Sequence, residues 1–205
     1  NQTDKNSKVV YLYTSDKDAQ YSYIDAAKNK GYDVLVMDSP LTAHLVGKLE
    51  QADSNTTFTR VDGDTIDKLI QKDEEITSKL TEDDEKVLKP LFEEVVNKET
   101  FTVNFVSLSE TDSPMTVTQA EFMRRMKDMS AMGGGGGMMG MGNMPDMYNL
   151  AVNSNHPLIS KILSVKDEAK RKDMAKQAAD LALLSQNLLK GEELSKFIKR
   201  SVSLI

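Results

Sequence analysis

Two apolar runs, KVVYLYT (Lys8–Thr14) and DVLVMD (Asp33–Asp38), flank a segment long enough for one helix. Both are rich in β-branched and aromatic residues, the composition of a buried strand. Ser15 or Asp16 can cap a helix running to about Lys30, and Gly31 takes the left-handed position that ends it. A strand, a crossover helix and a second strand this close together pair in parallel, because a hairpin cannot contain the helix. LTAHLVGKLEQA (Leu41–Ala52) then reads as a second helix, weakened by Gly47, and TTFTRV (Thr56–Val61) as a third strand. The first third of the chain is therefore expected to be a small α/β domain with helices covering its sheet.

Past this unit the character changes. QKDEEITSKLTEDDEK (Gln71–Lys86) is densely charged and reads as a linker feeding a helix through a Thr81–Asp84 capping box. That helix carries an apolar stripe at Val87, Leu88, Leu91, Phe92, Val95 and Val96. Pro90 either kinks it or marks its true first turn. Strands are expected at Thr102–Ser109, Met115–Thr118 and Met147–Asn153, the first two around the turn ETDSP. Asn155 is the expected cap of a helix over HPLISKILSV, with Pro157 in its first turn. Lys166–Lys190 carries Met174, Ala178, Leu181, Ser185 and Leu188 at alternating spacings of 4 and 3, a heptad seam that Gly191 interrupts. A last helix holds Leu194, Phe197, Ile198, Val202 and Ile205. Apolar seams on two terminal helices need a surface to cover them, and a second copy of the same tail would form a symmetric helix bundle.

Composition excludes several classes. A net charge of −6 argues against nucleic acid as the main partner, and no apolar run reaches the ~18–20 residues of a membrane span. The opening NQTDKNSKVV lacks the apolar centre of a signal peptide, and without an initiating Met the chain reads as a piece of a longer one. Zero cysteines remove disulfides and thiolate metal sites and suit a reducing cytoplasm.

No catalytic constellation is evident. The two histidines, His44 and His156, lie far apart, and no nucleophile elbow, phosphate loop, zinc or calcium motif is present. The run Gly133–Gly137 lacks the preceding strand and following Lys-Ser/Thr of a phosphate loop, and reads as a flexible tether. A regulatory or substrate domain of an enzyme, built on the βαβ unit, would need polar groups converging at the sheet's C-terminal edge, near Thr14, Ser15 and Asp38. Those residues read as ordinary caps and turns.

Nine of the twelve methionines lie between Met123 and Met147. Phe122, Met126 and Met129 fall at i, i+4 and i+7 on one helix face, which Met123 and Met132 widen. A buried core face is the ordinary explanation. Here the helix runs into five glycines and yet more methionine rather than into a tying segment. Methionine is unbranched and polarizable, and suits surfaces that accept many partners. A methionine-lined copper site is the weaker alternative without Cys and with sparse His.

The ordered set YLYTSD, DVLVMDSP, TFTRVDGD, VNFVSLSETDSPMTVT, the methionine helix and LAVNSNHPLISKIL resembles the C-terminal half of the heat-shock protein 90 chaperones, most closely the bacterial, high-temperature protein G type. NSNHPLI (Asn153–Ile159) matches the family's N-P-x-H-P-I segment, with Ser154 in place of the proline. LSETDSPMTV (Leu108–Val117) matches its strand, D-S/T-P turn and strand. The resemblance runs from about Val9 to Ile205. It implies an α/β segment followed by an α+β segment: a small βαβ sandwich subdomain over 1–75, the end of the family's middle domain, then a mixed α+β dimerisation domain over 76–205 that ends in a helix bundle.

The resemblance further implies a homodimeric, ATP-driven clamp of the stress response that binds unfolded or partly folded client proteins in the cytoplasm. Its nucleotide domain precedes everything present here. This stretch is thus expected to be no enzyme and to hold no cofactor, ATP and magnesium belonging to the full-length protein. The family's client-contacting helix falls on Phe122, Met123, Met126, Met129 and Met132. A second client region maps to Thr42, Ala43, His44 and Leu45, where the usual acidic pair and aromatic are absent, leaving His44 and Leu45 as its candidates. Dimerisation falls to Met174, Ala178, Leu181, Leu188, Leu194, Phe197, Ile198 and Val202. The ending SVSLI is not the M-E-E-V-D peptide that recruits repeat-containing cochaperones, so that mode is not expected.

Overall fold

The computed structural model describes residues 2–73, 76–132 and 146–203, with residues 127–132 described by their backbone. The chain is mixed α/β, with two three-stranded sheets and eight helices among the described residues. It divides into two compact units, one formed by Asn1–Glu75 with Thr118–Asp146, the other by Ile76–Val117 with Met147–Ile205.

In the first unit, β1 (Val9–Thr14), β2 (Val34–Val36) and β3 (Thr56–Arg60) form a parallel sheet in the order β2-β1-β3. Alternation along β1 divides its side chains between two layers. Val10 and Leu12 join Tyr23, Ile24 and Ala27 of α1 (Tyr21–Asn29), and Ile66 of α3 (Ile66–Leu69), in one core cluster. Tyr13 joins Phe58 and Val46 of α2 (Thr42–Ala52) in another. Gly31, at φ +77°, ends α1 in the left-handed conformation, and Tyr32 N donates to Ala27 O across the turn.

The start of α1 differs from the expectation at Ser15 or Asp16. The Asp16 carboxylate accepts from the amides of Asp18 and Ala19, both at 3.0 Å, which closes a local turn. Gln20 Oε1 accepts from Thr14 Oγ1 at 2.6 Å and Ser15 N at 3.0 Å. With the loop's donors already taken, helical geometry begins only at Tyr21.

The second unit is built on β4 (Phe101–Val106), β5 (Met115–Thr118) and β6 (Tyr148–Asn153), in the order β4-β6-β5 with β4 and β6 parallel. Helices α4 (Glu82–Val95), α6 (Pro157–Ser164), α7 (Glu168–Ser185) and α8 (Gly191–Val202) belong to the same unit. The capping box at the start of α4 is formed as expected, Thr81 Oγ1 accepting from Asp84 N and Asp84 Oδ2 from Thr81 N. Leu88, Phe92 and Val95 are buried, Leu91 and Val96 partly so, and Val87 faces solvent. Pro90 lies well inside α4 on its exposed side, where the helix carbonyl it leaves unbonded can be hydrated.

Three boundaries are corrected. The cap of α6 is His156, whose Nδ1 accepts from Leu158 N at 3.0 Å, and not Asn155. The Asn155 side chain turns inward, accepting from Lys79 N at 2.7 Å and donating to Thr77 O and Leu108 O. Strand β4 ends at Val106, before Ser109. Helix α7 stops at Ser185 rather than Lys190, because Asn187 adopts φ +55° and Leu188 N bonds back to Leu183 O.

Candidate functional site

The methionine helix is α5 (Glu121–Met132), and its first turn is held by charge rather than by apolar packing. Glu121 Oε1 accepts from Tyr13 Oη at 3.0 Å, Arg124 Nη2 at 2.6 Å and Arg125 Nε at 2.7 Å. Arg124 Nη2 also donates to Tyr13 Oη. Arg125 reaches on to Glu50 of α2, Nη1 to Oε2 at 2.9 Å, and its Nη2 donates to the carbonyl of Phe58 in β3. Glu50 Oε1 in turn accepts from Phe58 N at 2.8 Å. The Glu50–Arg125 pair thus occupies both backbone groups of Phe58 on β3, an edge strand that would otherwise invite a further strand.

These groups are largely shielded from water beside β1 and β3, and their ionisation follows. Burial raises the Glu121 carboxyl, but the guanidiniums of Arg124 and Arg125 outweigh it and hold the group below the usual carboxylate range. Burial, then the Glu121 charge, pushes the Tyr13 hydroxyl up to about 12, against the opposing pull of Arg124. Burial acts against the charge on Arg125, and the hydrogen bonds to Glu50 and Glu121 more than restore it. The site is accordingly a charged clamp, with one carboxylate bridging two guanidiniums and a neutral phenol.

The candidate client face lies about a third of a turn away from this clamp, at ~100° per residue. Phe122 is 70% exposed, and Met123 and Met126 are half-buried. The side chains of Met129 and Met132 lie outside the described ones, as do Gly133–Gly137. On α2, His44 and Leu45 are both exposed. Leu41 and Leu49 extend Leu45 into an exposed row at i, i+4 and i+8. That spacing is legible in the sequence as i, i+4, i+8 leucines.

The tail residues separate into two sets. Ala178 and Phe197 are buried in the core of the second unit, with Met174, Leu188 and Leu194 packed against it. Leu181 (49% exposed), Ile198 (51%) and Val202 (65%) point outward, joined by Leu184. The buried face of α7 is instead the small-residue set Ala175, Ala178, Ala179 and Ala182, which permits close helix approach. Fully buried Asp180 pairs with Lys176 within α7 and ties α7 to α8 through Arg200, each at 2.5 Å.

The sheet edge that an enzyme's ligand would use is internally occupied. Thr14 and Ser15 are bonded to Gln20, and the neighbouring ends of β1 and β3 receive Glu121. No cluster of three or more metal-ligating side chains occurs among the described residues. Nor is any of the described helices long and apolar enough to cross a membrane.

The family model for the Hsp90 protein matches residues 1–202. The chain belongs to the Hsp90 family. Among Hsp90 relatives, it is similar to the chaperone protein htpG of Bacteroides fragilis (strain 638R), at 35% identity over 272 aligned positions covering all of this chain and 40% of the relative. It is also similar to the chaperone protein HtpG of Porphyromonas gingivalis (strain ATCC 33277), at 44% identity over 186 positions covering 89% of this chain and 27% of the relative. Against that of Bacteroides thetaiotaomicron (strain VPI-5482) the identity is 34%, again over the whole chain. The chain therefore spans about 40% of the length of the Hsp90 relatives matched over all of it.

Proposed function

We propose that this chain is the homodimerising, client-binding part of an Hsp90-type chaperone, which holds unfolded or partly folded proteins through the Phe122–Met126–Met129 face of α5. The observation that carries the reading is the division of labour on α5. One edge is clamped to the first unit by Glu121, Arg124 and Arg125, while a large aromatic beside it is left 70% in water. A helix that needed its apolar face for its own stability would turn Phe122 inward.

Dimerisation is assigned to the outward set Leu181, Leu184, Ile198 and Val202, with Met174, Ala178, Leu188, Leu194 and Phe197 supporting it from within the fold. ATP and magnesium act in the full-length protein, and this stretch does no chemistry of its own. His44, together with Leu45 of the exposed leucine row of α2, forms a second contact for the same clients. The test is static light scattering of the chain alone and with reduced, carboxymethylated α-lactalbumin. The reading expects a dimer at tens of micromolar that takes up the unfolded protein. A monomer that ignores it overturns the proposal.

A further inference from the structure

We infer that Arg125, acting through Glu50 and Glu121, is a positioning residue that sets which face of α5 is offered to a client. The inference rests on the client-face reading above and adds how that face is aimed. Three observations carry it. Arg125 reaches two elements at once, Glu50 of α2 and the Phe58 carbonyl of β3. Its third contact, Glu121 Oε1, is itself fixed by Tyr13 of β1, so the helix is referenced to β1, β3 and α2 together. The other arm of Glu121 lies against backbone: Oε2 is 3.4 Å from Arg60 N and 3.7 Å from where a Cβ on Gly63 would stand.

The physical logic is that of a directional fastener. Apolar packing tolerates rotation of a helix about its axis, because contact energy is non-directional. A forked guanidinium does not, since its donors must meet their acceptors in a fixed plane. Fixing the rotation by charge leaves the apolar side chains free for a partner and removes part of the ordering cost on binding. Lysine carries the same charge on a flexible stem with no fork, so it can keep one of the three contacts but not the plane.

The experiment uses the whole chain with Arg125→Met, Arg125→Lys and Glu50→Gln, and Met126→Asp as the reference for the client face. Hydrogen exchange of α5 and β1 amides is read beside the affinity for fluorescently labelled, reduced carboxymethylated α-lactalbumin. Arg125→Met is expected to lower protection in α5 at least tenfold with β1 unchanged, and to weaken client binding roughly five- to tenfold. Arg125→Lys should fall between it and the parent, a graded rescue that general misfolding would not produce. Should Arg125→Met fail to fold, Glu50→Gln, which removes one charge from the fork, carries the same expectation at a smaller amplitude. Unchanged α5 protection, or a loosened α5 with parental affinity, overturns the inference. If Met126→Asp leaves the affinity unchanged, the client-face reading fails and the inference falls with it. If Met126→Asp weakens binding and the Arg125 variants do not, the inference alone is wrong.

Discussion

Alanine at Phe122 and alanine at Phe58 remove the same ring from the same unit, and the structure assigns them opposite costs. Phe58 is buried and stacks on Tyr11 at a centroid distance of 4.9 Å. Truncating it forfeits transfer energy, leaves a cavity and loses the ring contact, together about 3–5 kcal/mol. Phe122 is 70% exposed, so only about three-tenths of its surface is withdrawn from water. Fully burying such a side chain is worth about 1.5–3 kcal/mol, so Phe122→Ala should cost under ~1 kcal/mol. Urea unfolding followed by circular dichroism measures both. With a slope of about 2 kcal/mol per molar, Phe58→Ala should move the first unit's midpoint by roughly 2 M and Phe122→Ala by less than about 0.5 M. A loss above ~2 kcal/mol for Phe122→Ala would place that ring in a core and refute the argument that α5 keeps it for a partner.

Three further outcomes are expected. Ile198→Asp combined with Val202→Asp puts charge on the outward face of α8 and should convert a dimer into a monomer by light scattering, leaving the far-ultraviolet spectrum of a folded chain; an unchanged mass would reassign that face. Gly47→Ala should stabilise the first unit by about 0.5–1 kcal/mol, because Gly47 sits inside α2 with nothing within 4 Å of an added Cβ, and a destabilised melt would contradict it. Acid should undo the α5 clamp. The Glu121 carboxyl is held below its usual range, so its contribution is fully present above the ordinary glutamate value of ~4.3 and is lost as pH falls through the lower folded-state value. Methyl resonances of Met123 and Met126 should shift in that acid window, and constancy there would exclude Glu121 as the fastener.

Local signals in this chain were legible and long-range ones were not. The Thr81–Asp84 box and Pro157 in the first turn of α6 each follow from residues within a turn of one another, and the parallel pairing of β1 with β2 follows from a strand, one helix and a strand in immediate succession. Helix α1 begins later than its sequence suggests because Asp16 takes the amides of Asp18 and Ala19 while Gln20 takes those of Ser15 and Asp16, and composition does not tell that these loop bonds replace a helix cap. His156 takes the α6 cap because Asn155 is drawn inward by Thr77 and Leu108, tens of residues away. The heptad spacing on α7 located apolar residues correctly but not the side they face, since the alanines that bring α7 against its neighbours carry little hydropathy signal. The α5 clamp is invisible in the sequence because its partners are far apart along the chain. Tyr13 and Glu121 are separated by 108 positions, Glu50 and Arg125 by 75, and each residue alone reads as an ordinary surface charge or a strand aromatic.

The central claim, that the methionine face of α5 binds clients while contributing little to the fold, is tested most directly by one affinity. Fluorescence anisotropy of labelled, reduced carboxymethylated α-lactalbumin is titrated with the parent chain and with a Met126→Asp, Met129→Asp double variant, beside thermal melts of both. The account predicts that the double variant keeps its melting temperature within a few degrees and binds at least tenfold more weakly, a change of about 1.4 kcal/mol or more. Unaltered affinity per folded molecule, together with a loss on the scale of roughly 2–5 kcal/mol for each truncated core methionine, would assign this face to the interior and contradict the account.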